Sequence, residues 1–196
     1  MGSKIFATAA VAAMLAFLFW PRDPDLRHDV SSDVQTCKRH MMAIHKGLVS
    51  QERAGTLDMS SGYAMLGGLI DKGTWKKTAE NIRMLTCTGP GAHAMPDDAF
   101  ASPGSFDATS TAYAFRNLAD HPLSKFPAGG EDNEPILACD NASGMNHAGV
   151  MNVLYTDGSI LTLHIEQEIE RKRLPPGTTT IAVGTNSPIE ALKKLQ

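Results

Sequence analysis

Aromatic residues and cysteines are scarce in this sequence and basic residues are not in excess, and each shortage excludes a class of protein. Tryptophan, tyrosine and phenylalanine make up 6% of the 196 residues, which is too few for base-stacking platforms. Lysine and arginine number 18 against 21 acidic residues, whereas a nucleic-acid binder normally has a basic excess. Three cysteines are too few for a disulfide scaffold. We therefore expect an ordinary globular protein with no nucleic-acid partner.

One long uncharged run is present, from Ile5 to Trp20. As a helix it would span about 24 Å, against about 30 Å for a bilayer core. Lys4 precedes it as in a secretory signal, but the run ends in large residues instead of the small ones that precede a cleavage site. We expect residues 1–30 to form an uncleaved membrane anchor and linker, with the rest of the chain outside the cytoplasm. The alternatives are a cleaved signal and a buried helix.

The pattern from Ser31 onward predicts a long helix that opens a globular domain of residues 31–196. Ser31 or Ser32 offers an N-cap, and Gly55 offers a C-terminal stop after Arg53. Apolar residues recur at steps of three and four, as on one face of a helix. They are Val34, Cys37, Met41, Ile44 and Leu48. This stripe is interpreted either as core or as an interaction face for partner subunits.

Shorter patterns predict the remaining elements. Helical patterns cover 62–70, 75–81, 164–173 and 187–195, and strand-like runs cover 82–87, 110–115, 136–139 and 178–183. Two β-rich arms, 152–156 and 159–163, flank Asp157-Gly158, which predicts a hairpin with a type I′ turn. Glycine and proline concentrate between these elements, so the C-terminal half is predicted to be rich in loops. The expected fold class is α+β, with the long helix packed on a small antiparallel sheet.

Several of these segments together resemble bacterial pseudopilins and type IV pilin-like proteins. The resemblance is carried by the helix sequence at 37–44, the runs 113–117 and 136–140, and above all by HAGVMNVLYTDGS. In that last segment His147, nine residues and then Asp157-Gly158 form the H-x9-D-G signature of prepilin-type proteins, with Asn152 in its N-V-L core. The resemblance covers roughly residues 31–165.

The resemblance implies a non-catalytic structural subunit of an envelope secretion or pilus-type assembly. Such a subunit would be anchored in the bacterial inner membrane by residues 5–20, with its globular domain periplasmic or extracellular and other pilin-like subunits as partners. An alternative is an anchored binding module outside any filament, which is favoured by Pro21, Pro24 and the lack of an acidic residue in the apolar run. A third alternative is an exported metal-dependent hydrolase, although no HExxH or GxSxG motif occurs.

The signature also raises the question of a metal site. Asp140, His147 and Asp157 lie near predicted hairpin ends, and carboxylate oxygens would suit Ca²⁺. The alternative is structural: Asp157 would supply a positive φ in the turn, and His147 would hydrogen-bond backbone in the loop before the hairpin.

The cysteines offer a disulfide in an oxidising compartment. Cys87 and Cys139 each lie near a predicted strand end, and their bond would close a long loop, contributing roughly 3–4 kcal/mol. Cys37 would then be a buried free thiol. Sequence leaves all three pairings open.

Overall fold

The structure is a computed structural model that describes residues 31–140 and 145–196. Four strands form one antiparallel sheet in the order β1-β2-β3-β4: Ala114–Phe115, Pro135–Ala138, Val150–Tyr155 and Ile160–His164. Within the described residues, four α-helices accompany it: α1 Ser32–Arg53, α2 Gly62–Asp71, α3 Ala79–Arg83 and α4 Ile165–Glu170. The predicted α+β class is confirmed. Residues Ser32–Gln196 form one compact unit.

Helix α1 forms where the sequence predicts it. Gly55 has a φ of 66° and donates its N–H to the carbonyl of Glu52 at 2.9 Å, which ends the helix. The five residues of the apolar stripe are at most 2% exposed, because the helix packs on β3 and α2. The stripe is therefore core, and its assignment as an interaction face for partner subunits is corrected by this burial.

Helix α2 packs closely against its neighbours because glycines line it. Ser61 caps its N-terminus by accepting a hydrogen bond from the Ala64 N–H at 2.9 Å. A Cβ at Gly62 would come within 2.6 Å of Phe115, and one at Gly67 within 2.8 Å of Phe106. These glycines let the helix lie directly on the aromatic part of the core.

The hairpin of β3 and β4 is confirmed, but its turn differs from the predicted type. Leu154 pairs with Ile160, and the Gly158 N–H donates to the Tyr155 carbonyl at 3.0 Å. Gly158 has a φ of 87°, whereas Asp157 is not among the residues with positive φ. A type I′ turn needs positive φ at both central residues. The connection is instead a three-residue loop whose left-handed position falls on glycine alone.

Other predicted elements are replaced by different local structure. The predicted strand 82–87 contains the end of α3 and a turn in which the Leu85 N–H donates to Ile82. Short apolar runs do not distinguish helix from strand. The predicted strand 178–183 buries Ile181 and Val183 but joins no strand ladder. The predicted last helix is a short 3₁₀ segment, Glu190–Lys194.

The C-terminal residues cover the open side of β1. The Phe115 N–H donates to the Gln196 carbonyl at 2.9 Å, and the Phe115 carbonyl accepts the Gln196 N–H at 2.7 Å. Arg116 and Leu195 form an antiparallel β-bridge. This pairing satisfies backbone groups that a sheet edge otherwise leaves open.

The predicted membrane anchor, Ile5–Trp20, lies outside the described residues. Within the part of the chain that the structure describes, none of the helices has the length and apolar character needed to cross a membrane.

Candidate functional site

The H-x9-D-G residues lie along strand β3, and helix α1 runs beside them in the same direction. His147, before the strand, contacts Asp33 in the first turn of α1 through Nδ1 and Oδ2 at 2.8 Å. At the other end, the ring of His45 contacts the hairpin loop, since its Nε2 lies 3.0 Å from the Thr156 carbonyl oxygen. The signature therefore follows the contact between the helix and the sheet.

Asn152 occupies the middle of this contact and is fully buried. Its side-chain amide donates to the Val34 carbonyl at 3.4 Å, and its side-chain oxygen accepts from the Thr162 hydroxyl at 3.0 Å. One asparagine thus connects α1, β3 and β4. A buried amide needs such partners because an unsatisfied one is costly.

The Asp157-Gly158 end of the signature shapes the loop. Asp157 accepts the Ser159 N–H at 2.7 Å, and although burial opposes its charge, hydrogen bonds from Ser159 and Asn133 lower the pKa of this carboxyl. A Cβ at Gly158 would come within 2.8 Å of the His45 ring. Glycine is required there both by its φ and by the close approach of α1.

His147 also belongs to a buried cluster with all three cysteines. The Sγ atoms of Cys37, Cys87 and Cys139 and one ring nitrogen of His147 all lie within 4.8 Å of one another. The Cys87 Sγ is 3.9 Å from the Cys37 Sγ and 3.1 Å from the His147 Nε2. Cys87 is 5% exposed and the other three residues are at most 1% exposed.

Four different segments bring these side chains together. Cys37 comes from the buried stripe of α1, Cys87 from the segment after α3, Cys139 from the end of β2, and His147 from the loop before β3. Cys37 and Cys87 are 50 residues apart, and Cys87 and His147 are 60 apart. The cluster therefore depends on the tertiary fold, not on a local motif.

Backbone donors surround the sulfur atoms. The Gly89 N–H donates to the Cys87 Sγ at 3.3 Å, and the Asn152 N–H donates to the Cys139 Sγ at 3.1 Å. A Cβ at Gly89 would come within 2.0 Å of the Asn146 carbonyl oxygen, so glycine is needed for the chain to pass here. Such donors favour thiolate over thiol.

The electrostatics of the cluster follow from this crowding. Hydrogen bonds from the Cys139 and Cys87 thiols outweigh burial and lower the pKa of Cys37 to about 4. Hydrogen bonds with Cys37 and Cys87, together with burial, raise the pKa of Cys139 well above its ordinary value. Burial opposes a charged His147, but Cys87 and Asp33 outweigh it and raise the pKa of the imidazole. The cluster thus concentrates negative charge and lone pairs at one buried point.

The three residues of the predicted calcium site are not brought together. His147 belongs to the thiol cluster, whereas Asp157 lies past the far end of β3, a strand of six residues, or about 20 Å. Asp140 is buried, and its Oδ2 accepts the Asn146 N–H at 2.9 Å. The carboxylates of both aspartates thus hold local backbone, which corrects the grouping of these residues as one site.

The three cysteines are free thiols in this structure. Cys87 and Cys139, the predicted disulfide pair, lie in the same cluster as Cys37, so each sulfur has two sulfur neighbours. The predicted disulfide stays a prediction. The structure adds that Cys37 is close enough to compete for either partner.

Sequence reasoning missed Asp33 and the joint role of the cysteines. The available signal was that all three cysteines fall in or next to apolar segments that were predicted to be buried. No CxxC spacing accompanies them, and that spacing is the usual sign of a thiolate site.

No family model, no curated protein and no solved structure matches this chain.

Proposed function

We propose that this chain is a non-catalytic, membrane-anchored, pseudopilin-like subunit of an envelope secretion or pilus-type assembly. The observation that carries the proposal is the alignment of a 22-residue helix, α1, along the H-x9-D-G strand of a small antiparallel sheet. A helix laid on such a sheet after an apolar N-terminal run is the architecture that the resemblance implies.

The signature residues support a role by contact instead of turnover, because the fold uses them internally. His147 is enclosed with its side chain 0% exposed, Asn152 is fully buried, and Gly158 is pressed against α1. Cys87, His147 and Asp33 do form a chain like that of a nucleophile, a base and an orienting carboxylate. Its first two members are too buried for a substrate to reach them.

The outward face of α1 is the surface that we assign to partner subunits. It presents exposed residues at helical spacing, and Met42 among them is 43% exposed. These residues are Gln35, Arg39, Met42, Lys46 and Ser50. One exposed methionine between a lysine and an arginine suits a partner with an apolar patch and acidic rim. In this proposal residues 5–20 hold the chain in the inner membrane and the domain faces the periplasm or exterior.

Site-specific photo-crosslinking tests the proposal. A photoreactive amino acid replaces Met42 in the full chain, expressed in its own cells, and another replaces Met59 as the matched control. Met59 is also exposed, at 38%, but lies outside α1. An assembling subunit should give a ladder of adducts from position 42 and few from position 59. Equal or absent adducts at both positions would contradict the proposal.

The second candidate is an anchored binding module that does not join a filament. Pro21 and Pro24 favour it, because proline is unfavourable inside a helix and both prolines lie between the apolar run and the sequence of α1. The same experiment separates the two candidates. A binding module should give a single heteromeric adduct from position 42 instead of a ladder.

A further inference from the structure

We infer that Cys37, Cys87, Cys139 and His147 bind one Zn²⁺ ion in a closed, tetrahedral, structural site. The inference does not depend on the proposed assembly function. Four ligand atoms from four segments converge within 4.8 Å of one another, and three sulfurs with one imidazole is a donor set of structural zinc.

Two of the six distances between the ligand atoms are close to those of a tetrahedral zinc site, and none of the six exceeds 4.8 Å. With Zn–S bonds of about 2.3 Å, two sulfurs of a tetrahedral site lie about 3.8 Å apart, and a sulfur and a nitrogen about 3.5 Å apart. The Cys37 and Cys87 sulfurs are 3.9 Å apart, and the Cys87 sulfur is 3.1 Å from the His147 Nε2. Opening that last pair by a few tenths of an ångström makes room for the ion.

The surroundings of His147 are those of a metal ligand. Its Nδ1 contacts the Asp33 carboxylate at 2.8 Å, and because a carboxylate accepts hydrogen bonds, Nδ1 carries a proton and Nε2, beside the Cys87 sulfur, is the nitrogen left to bind a metal. A carboxylate behind a ligating histidine orients the ring and makes it a stronger donor. Asp33 is 29% exposed at its side chain, so this part of the site reaches the surface.

Charge and softness both favour zinc over the calcium considered from sequence. Three thiolates and a neutral imidazole carry −3, and a divalent ion reduces that to −1. The Gly89 and Asn152 N–H groups then offset part of the remaining charge at the sulfurs. Calcium takes oxygen ligands, whereas thiolates select zinc and other soft ions.

The site would hold the N-terminal part of α1 to the sheet. Cys37 and the Asp33 that supports His147 both belong to α1, whereas Cys139 and His147 border β2 and β3. With all four ligands from the protein and buried, no position remains for substrate or water, as in structural zinc sites. This gives the histidine of the H-x9-D-G signature a specific role as ligand.

Metal analysis of the full chain tests the inference directly. The protein is purified in mild detergent, reduced and freed of metal with a chelator under anaerobic conditions, and titrated with Co²⁺ and then Zn²⁺. We expect one Co²⁺ per chain, with intense visible bands of tetrahedral cobalt and a near-ultraviolet sulfur-to-cobalt charge-transfer band, both abolished by Zn²⁺. Failure of the reduced, folded protein to bind either ion would overturn the inference.

Variants assign the ligands. Cys37→Ser, Cys87→Ser and Cys139→Ser should each weaken zinc binding at least about 100-fold and reduce the charge-transfer band. His93→Ala, an exposed histidine outside the cluster, is the control and should bind normally. Asp33→Asn keeps all four ligands and should weaken binding about 10–100-fold with an unchanged cobalt spectrum. Retention of full affinity in the cysteine variants would place the metal elsewhere and overturn the inference.

Thiol oxidation gives a second way to overturn it. A disulfide between two cluster cysteines uses two of the four ligands, so zinc and disulfide exclude each other. Protein isolated from cells without a blocking reagent should contain one zinc per chain, and protein from the same cells with thiols blocked at lysis should show three reduced cysteines by mass spectrometry. A quantitative disulfide in the second sample and no zinc in the first would overturn the inference and support the predicted Cys87–Cys139 bond or a related pairing.

Discussion

Two polar clusters, one around the buried Arg116 and one of buried cysteines and a histidine, tie distant parts of this chain together, and they are satisfied in opposite ways. Arg116, 2% exposed, donates to the carbonyls of His121 at 2.6 Å and Pro135 at 3.0 Å and to the Glu134 carboxylate at 2.5 Å. Lys194 donates to the same carboxylate at 2.5 Å. In the other cluster, three sulfurs and an imidazole face one another.

The difference is one of complementarity. The arginine cluster combines donors with acceptors and positive with negative charge, so protein groups alone satisfy it. The cysteine cluster brings together three sulfurs and an imidazole nitrogen, all of them atoms that can bind a metal. A bound cation would therefore add to its stability. Metal removal should therefore leave the contribution of the arginine cluster to stability unchanged, whereas loss of a charge there should lower stability. Metal removal should lower the contribution of the cysteine cluster.

The largest expected effect is that of metal removal. Chelation of zinc from the wild-type chain should lower its free energy of unfolding by about 4 kcal/mol, the value for a ligand present at a thousand times its dissociation constant. Urea unfolding with and without chelator measures it. Without chelator, the Cys87→Ser variant should already have a lower free energy of unfolding than wild type. Chelator should lower that free energy little further. Equal chelator effects in both proteins would contradict a metal held by the cluster.

Next in size is the loss of charge at Glu134. Glu134→Gln leaves the buried Arg116 without its counter-ion and should cost about 2 kcal/mol, less than for a fully enclosed pair because Glu134 is 26% exposed. The control is Glu190→Gln, which removes an exposed pair with Lys193 and should leave stability unchanged. Chelator should lower the stability of both variants as much as that of wild type. A Glu134→Gln variant as stable as the Glu190→Gln control would contradict this account of the arginine cluster.

A substitution at the contact between α1 and the β3–β4 loop should lower stability by a similar amount, and this contact includes neither cluster. Gly158→Ala should cost about 2 kcal/mol, from the strained φ and from contact with the His45 ring. Gly177→Ala is the control, since Gly177 has a φ of 81° and nothing within 4 Å of a Cβ; it should cost about 1 kcal/mol. In a double-mutant cycle, His45→Ala should recover the difference. If His45→Ala does not reduce the cost of Gly158→Ala, contact with the His45 ring is not the cause of the extra cost.

The smallest effect is a pH dependence. Burial opposes the charge of Glu134, but Lys194 and Arg116 outweigh it and lower the pKa of this carboxyl. Its contribution is therefore complete above the ordinary glutamate pKa of about 4.3 and is lost as pH falls through the lower folded value. The difference in unfolding free energy between wild type and Glu134→Gln should therefore shrink as pH falls below about 4.3. A constant difference would assign the cost of the substitution to packing.

Elements with strong local signals were predicted from the sequence nearly to the residue. The helix that begins at Ser32, the glycine stop at Gly55 and the arms of the β3–β4 hairpin all match. Weak local signals misled: the apolar run 82–87 contains a helix end and a turn, and the alternation in 178–183 reflects two buried side chains without a ladder. Caps and turns act between neighbours in sequence, whereas a strand needs a partner from elsewhere.

For the candidate site, too, the sequence predicted some features and the tertiary structure decided the others. Sequence alone identified His147 and all three cysteines as residues of interest, and it established the buried stripe on which Cys37 lies. Only the tertiary structure decided that these four meet, that Asp33 supports the histidine, and that Asp140 and Asp157 do not join them. The physical reason is the separation in sequence between the interacting residues. Helix caps and hairpin turns are fixed by residues a few positions apart, but a cluster whose members lie 50 and 60 residues apart exists only once α1 has packed on the sheet.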